Sequence, residues 1–157
     1  MTGIVIKDSI NGFTFLSDIF KSIDNAQKDY NWLISDFECY PCSEKYSKLL
    51  SGNWCWMSGS DFTKMVAFHD FQWIWGVFSG FPKIVTEQEI LQYDLPTADG
   101  NLEIWKNPIK IQHPLAVIEM VAWDSSATVF ISKYDSLVSK LSTAHLSTED
   151  LEQYNSR

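Results

Sequence analysis

The sequence predicts an α+β (or α/β) fold: a single domain in which a mixed β-sheet packs against several short helices. Three observations lead there. The chain of 157 residues matches one ordinary domain. Its first half interleaves β-branched and aromatic runs with segments of helical apolar spacing, and its second half contains a hairpin pattern. No repeat, low-complexity stretch or Pro/Gly/Ser-rich linker divides it, so residues 1–146 read as one domain and 147–157 as a polar C-terminal tail.

In chain order, Gly3 to Lys7 is β-branched and predicts a first strand. Phe15, Leu16, Ile19, Phe20 and Ile23 recur at helical spacing. Tyr30 to Cys39 reads as a strand, with Trp32 and Ile34 on one face and Leu33, Phe37 and Cys39 on the other. Ser43 to Leu50 predicts a short helix stopped by Ser51-Gly52. Asn53 to Met57 is a strand, and Ser60 or Asp61 can cap a helix that runs to Phe68. Phe71 to Phe78 is the most apolar strand, suited to burial on both faces. Thr86-x-x-Glu89 is a capping box opening a helix with Ile90 and Leu91. Asp94 to Asn101 is a loop, and Glu103 to Lys106 reads as a short strand. Ala116 to Trp123 and Thr128 to Ser132 form a hairpin through Asp124-Ser125-Ser126. A helix over Ser136 to Leu141 closes the domain.

Composition excludes several functions. Lys and Arg total 12 against 20 Asp and Glu, for a net charge of -8, and the only Arg is the last residue, Arg157. An acidic chain with no interior guanidinium has no bidentate fork for phosphate or a guanine edge, and is repelled by nucleic acid and anionic lipid. The longest charge-free apolar stretch, Phe71 to Pro82, has 12 residues, too few to span a bilayer. The N-terminus, with Lys7 and Asp8 after a short apolar run, is no signal peptide, and three cysteines are an odd number. The expected location is the cytoplasm.

Cys39-Tyr40-Pro41-Cys42 is the sharpest local motif. A C-x-x-C after a strand and before a helix suits a thioredoxin-like thiol-disulfide oxidoreductase, with Cys39 as nucleophile and Cys42 as resolver. Glu38 opposes this by raising the thiol pKa, and no proline stands where the facing cis-proline of such sites would be. Small cysteines flanking a turn are the plainer reading. Cys39, Cys42, Cys55 and His69 would supply four tetrahedral zinc ligands, but without the close spacing of a second ligand pair. Asp94, Asp99, Asn101 and Glu103 alternate like calcium ligands without EF-hand spacing. Ser125 or Ser126 with His113 or His145 lacks a G-x-S-x-G elbow, and there is no P-loop, G-x-G-x-x-G or H-E-x-x-H. No metal or cofactor is expected.

Trp54 and Trp56, like Trp73 and Trp75, are spaced i, i+2, so each pair projects from one strand face, and neighbouring strands would merge the four rings into one layer. Such a layer is core when covered and a recognition face when open.

Trp32-Leu33-Ile34, Glu38-Cys39-Tyr40-Pro41, Phe71-x-Trp73-x-Trp75-Gly76-Val77-Phe78-Ser79-Gly80-Phe81, Leu95-Pro96-x-Ala98-Asp99-Gly100-Asn101, and His113-Pro114-Leu115-Ala116 through Ala122-Trp123-Asp124-Ser125-Ser126 run in one order. Together, from Met1 to about Lys133, they resemble a family of small uncharacterised proteins from Bacillus-like bacteria that carry a domain of unknown function. That resemblance implies no activity, and it features Glu38-Cys39-Tyr40-Pro41 without the second cysteine. The expected function is therefore non-enzymatic: an inhibitor- or immunity-like binding domain for a basic protein. Its contacts would be Trp54, Trp56, Trp73 and Trp75 with the nearby Asp61, Asp70 and Asp124. A symmetric homodimer is the remaining option.

Overall fold

The computed structural model describes residues 1–7, 14–145 and 147–157. Asp8, which follows the expected first strand, and Leu146, where the expected domain boundary falls, lie outside the described residues. The strands are β1 (Thr2–Ile6), β2 (Tyr30–Cys39), β3 (Trp54–Ser58), β4 (Trp73–Pro82), β5 (Ile118–Trp123), β6 (Ala127–Ser132) and β7 (Thr148–Asp150). The helices are α1 (Leu16–Ser22), α2 (Glu44–Leu49), α3 (Gly59–Phe68), α4 (Glu87–Ile90), α5 (Asp135–Ala144) and α6 (Leu151–Asn155). All seven strands join one sheet in the order β3-β2-β4-β5-β6-β1-β7. The fold is α+β as expected, but every ladder is antiparallel where a mixed sheet was expected. No two paired strands run parallel: α1 and α3 join strands that lie apart in the sheet, β1 to β2 and β3 to β4, and antiparallel strands fill the places between them.

Alternation along the strands makes both faces of the sheet apolar. One face carries Ile4, Trp32, Ile34, Phe78, Met120 and Phe130, and buries them under Leu16, Ile19 and Phe20 of α1, Phe62 and Met65 of α3, and Leu137 and Val138 of α5. Phe62 is the hub of this layer: its ring lies 5.1 Å from Phe20, 5.5 Å from Trp32 and 5.8 Å from Phe78. Burying one such ring stabilises the fold by about 1.5–3 kcal/mol. The other face, with Val5, Leu33, Val77, Phe81, Val121 and Ile131, is covered by α4, by the irregular segment that follows it, and by Leu151 of α6.

Helix starts are capped both by neighbouring residues and, at α1, by a residue distant in sequence. Phe15 offers α1 no cap, and Asp70 supplies it from the other side: Oδ1 accepts from Leu16 N–H at 3.1 Å and Oδ2 from Ser17 N–H at 3.2 Å. Ser58, not Ser60 or Asp61, caps α3, because β3 passes into the helix without a loop. Gly59 permits this, since a Cβ there would sit 2.1 Å from the Gln27 carbonyl oxygen. The capping box of Thr86 and Glu89 forms as the sequence indicates.

Three further elements differ from expectation. Leu102–Trp105 is a 3-10 turn rather than a strand. Residues 147–157, read as a polar tail with one more helical turn, form that turn as α6 and also tie to the sheet: β7 pairs with β1, Leu151 is fully buried, and Arg157 bonds Glu149 at 2.6 Å. The register of β2 slips after Ser35, where Asp36 takes φ 46, and the bulge moves Phe37 and Cys39 to the helix-covered face.

The β5–β6 hairpin turns through Asp124 (φ 46) and Ser125 (φ 53), closed by Ser126 N–H to Trp123 O at 2.9 Å, which is type I′ geometry without its usual glycine. Ser125→Gly should relieve the left-handed strain while keeping the Ser125 N–H bond to Ile74 O. The expected gain is about 0.5–1 kcal/mol, read as a higher denaturant midpoint; an unchanged or lower midpoint refutes the strain argument.

Candidate functional site

β3 is the outermost strand, with β2 on its inner side, and its sequence Trp54-Cys55-Trp56-Met57-Ser58 holds no charge and no proline. Cys55 and Met57 point to the helix-covered layer. Trp54 and Trp56 point to the opposite face, half-buried against the cluster of Leu33, Phe81 and Ile90, with Trp56 5.6 Å from the Phe81 ring. Ile90 belongs to α4, so the acidic first turn of that helix stands beside the strand. The Cys55 thiol registers it: burial first and Glu87 second push its pKa up to about 11. Around this corner Ile84 is 87% exposed, Leu91 43% and Tyr93 44%, an unusual run of apolar side chains in water. Residues 84–105 contain five carboxylates, Glu87, Glu89, Asp94, Asp99 and Glu103, and no Lys or Arg. All five are exposed, and Glu103 is ion-paired with Lys106.

The four tryptophans expected to share a layer do not. β2 lies between β3 and β4, and Trp73 and Trp75 point to opposite faces, because the bulge in β2 is matched by a phase slip in β4 before Gly76. Trp73 is fully buried among Phe71, Phe78 and Phe37. Trp75 instead begins a chain of half-buried rings that the sequence reading missed: Trp123 at 5.0 Å, then Trp105 5.2 Å beyond it, then Tyr154 at 5.5 Å. No periodicity connects those positions. Of the acidic candidates, Asp61 is exposed in the first turn of α3, 3.6 Å from Lys64, and Asp124 is exposed in the hairpin turn. Asp70 is committed to capping α1 with both oxygens.

The cysteine motif is arranged against the redox reading. Cys39 ends an internal, antiparallel strand, and burial together with Glu38 pushes its thiol up to about 12, far from a reactive thiolate. Cys42 is exposed, with Sγ 3.4 Å from His69 Nδ1. Cys39, Cys42, Cys55 and His69 do not converge, and no group of three or more potential metal-ligating side chains occurs among the described residues. His113 is buried: Nδ1 accepts from Leu115 N–H, leaving Nε2–H to donate to Ile90 O at 3.0 Å. Burial lowers its pKa, outweighing that bond. His145 contacts Ser22 at 3.2 Å, so neither histidine serves Ser125 or Ser126.

Residues 94–117 strap the second face without regular strands, and polar side chains hold them. Ser35 Oγ donates to Pro96 O at 2.7 Å, and Asp36 Oδ2 accepts from Ala98 N–H at 2.6 Å and Asp99 N–H at 2.9 Å. At the centre of the sheet Glu119 accepts from Gln112 N–H at 2.8 Å, while Gln112 Oε1 accepts from Thr97 N–H and Asn101 Nδ2. Glu119 is 1% exposed and faces Ser79, whose hydroxyl has no partner among the described residues. Burial raises the Glu119 carboxyl to about 7 despite the Gln112 bonds.

These features define a small antiparallel α+β domain with one helix-covered face, one strapped face and one bare edge. The chain belongs to the family described as a protein of unknown function (DUF2691), whose model matches residues 1–95. No curated protein and no solved structure matches it. No helix among the described residues is long and apolar enough to cross a membrane.

Two predictions follow from buried acids. The Glu119 carboxyl titrates near 7 when folded against 4.5 as a free group, so its favourable protonated state is fully available below 4.5 and is lost as pH rises through 7. That interval corresponds to about 3 kcal/mol. Glu119→Gln, which keeps an acceptor for Gln112 N–H, should gain stability relative to the parent between pH 5 and pH 8; parallel thermal-unfolding profiles would refute it. For the thiols, iodoacetamide at neutral pH should label Cys42 before Cys39, whose thiol is held at about 12. Mass spectrometry showing Cys39 modified first overturns the assignment.

Proposed function

We propose that this protein is a binding domain for a cationic protein, in the manner of an inhibitor or immunity partner, and that it works by association rather than catalysis. The observation that carries this reading is the segment 84–105, with its five exposed carboxylates and no cation, whose first part packs through Val85, Ile90 and Leu95 into the cluster of the half-buried Trp54 and Trp56. A surface of one sign beside apolar groups accelerates encounter with a partner of the opposite sign and repels like-charged competitors, while the aromatic and aliphatic groups supply contact area. Relative to the contacts expected from sequence, the surface keeps Trp54 and Trp56 and moves its charge from Asp61, Asp70 and Asp124 to Glu87, Glu89 and Asp94. A net charge of -8 adds a long-range field of the same sign.

The test is affinity capture from a lysate of the organism that encodes the protein, with the parent chain and with Glu87→Lys combined with Asp94→Lys. Both residues are exposed, so the variant should fold. A basic protein held by the parent should be lost from the variant, and lost from the parent in molar salt, where screening acts over about 3 Å. Equal capture by both chains, or capture indifferent to salt, sinks the proposal.

A further inference from the structure

Outer strands carry alternate N–H and C=O groups directed away from the sheet, and proteins usually guard them with charge, proline, a bulge or brevity. β7 at one edge is guarded: it has three residues, including Glu149 and Asp150. β3 at the other edge has five residues and none of these devices. Among the described residues, the backbone of Trp54 to Met57 makes no hydrogen bond beyond the ladder with β2, and Ser58 passes directly into α3 as its N-cap. Beside it stand the carboxylates of α4, whose Ile90 lies in the same apolar cluster as Trp54 and Trp56.

We infer that β3 is an acceptor strand, which an extended, lysine- or arginine-bearing segment of the partner joins as an eighth strand of the sheet. This rests on the cationic-partner reading above and adds how and where the partner is held. Main-chain bonds to the outward groups of Trp54 to Ser58 supply sequence-tolerant affinity. Side chains on alternate positions of the incoming strand project towards Trp54 and Trp56, where long cationic stems lie along indole faces and their charges meet Glu87 and Glu89. A second copy of this chain is a poorer occupant. Pairing β3 with its own copy would bring together two chains of net charge -8 and set both α4 helices on the same side of the joined sheet.

The experiment is residue-resolved amide hydrogen exchange on the full chain, alone and with a short capped peptide of alternating Lys and Val. Controls are the alternating Glu and Val peptide and a Lys/Val peptide interrupted by proline. The expected result is at least about tenfold slower exchange of the outward amides within residues 54–58 with the Lys/Val peptide only, as new hydrogen bonds form. Glu87→Lys should weaken that binding about fivefold, the scale of one exposed ion pair. Binding of the Lys/Val peptide without protection at 54–58 overturns the strand addition and leaves the cationic-partner reading standing. No binding of the Lys/Val peptide overturns both. Protection at 54–58 that grows with protein concentration in the absence of peptide assigns the edge to a second copy and overturns the proposal.

Discussion

A stretch of chain without regular secondary structure can cover an apolar sheet face only if its own peptide groups find hydrogen-bond partners. Residues 94–117 meet that requirement with side chains drawn from the sheet beneath them, and much of the molecule is arranged accordingly. Ser35, Ser79 and Glu119 occupy strand positions facing the strap, on β2, β4 and β5, where apolar side chains would otherwise complete the layer. The bulge at Asp36 places a carboxylate where two strap amides converge. Glu119 receives the Gln112 amide at the cost of a buried acid, and Ser79 remains without a partner among the described residues.

The same bulge sorts the aromatics. By adding a residue to β2 it returns Phe37 and Cys39 to the helix-covered face, and it puts β4 out of phase at Trp73 and Trp75. Trp73 then completes the inner aromatic cluster, whereas Trp75 passes to the strapped face and meets Trp123, which in turn meets Trp105. Cys39 thus ends in a partly buried site beside Glu38, which explains why the motif that looks most chemical in the sequence holds its first cysteine as a thiol.

Elements with local causes are legible in the sequence. The bounds of β2, the Thr86 capping box and the β5–β6 hairpin follow from alternation, a four-residue pattern and a turn tripeptide. Elements with distant causes are not. Asp70 caps a helix that starts 54 residues earlier, and β7 exists because β1 offers it an edge. The strap has no period to read at all, and its anchors become visible only with the sheet order. The candidate site divides along the same line. Trp54 and Trp56 share a face as their spacing indicates, but the charge beside them lies 30 or more residues away in α4, and strand order alone reveals that neighbourhood.

The acidity and the bare edge belong together physically. An uncharged five-residue edge would ordinarily invite self-pairing, and guarding it with proline, a bulge or an inward-pointing charge would also block the strand it is to receive. Charge placed next to the edge rather than on it resolves the conflict. Exposed carboxylates on α4 and a net charge of -8 oppose the approach of a second copy, while the backbone groups of β3 stay open to a strand of the opposite sign. The single arginine is consistent with this separation: it is held by Glu149 at the guarded edge, across the width of the sheet from β3. Both components of the open edge, β3 and α4, fall within residues 1–95, the part of the chain that the family model matches.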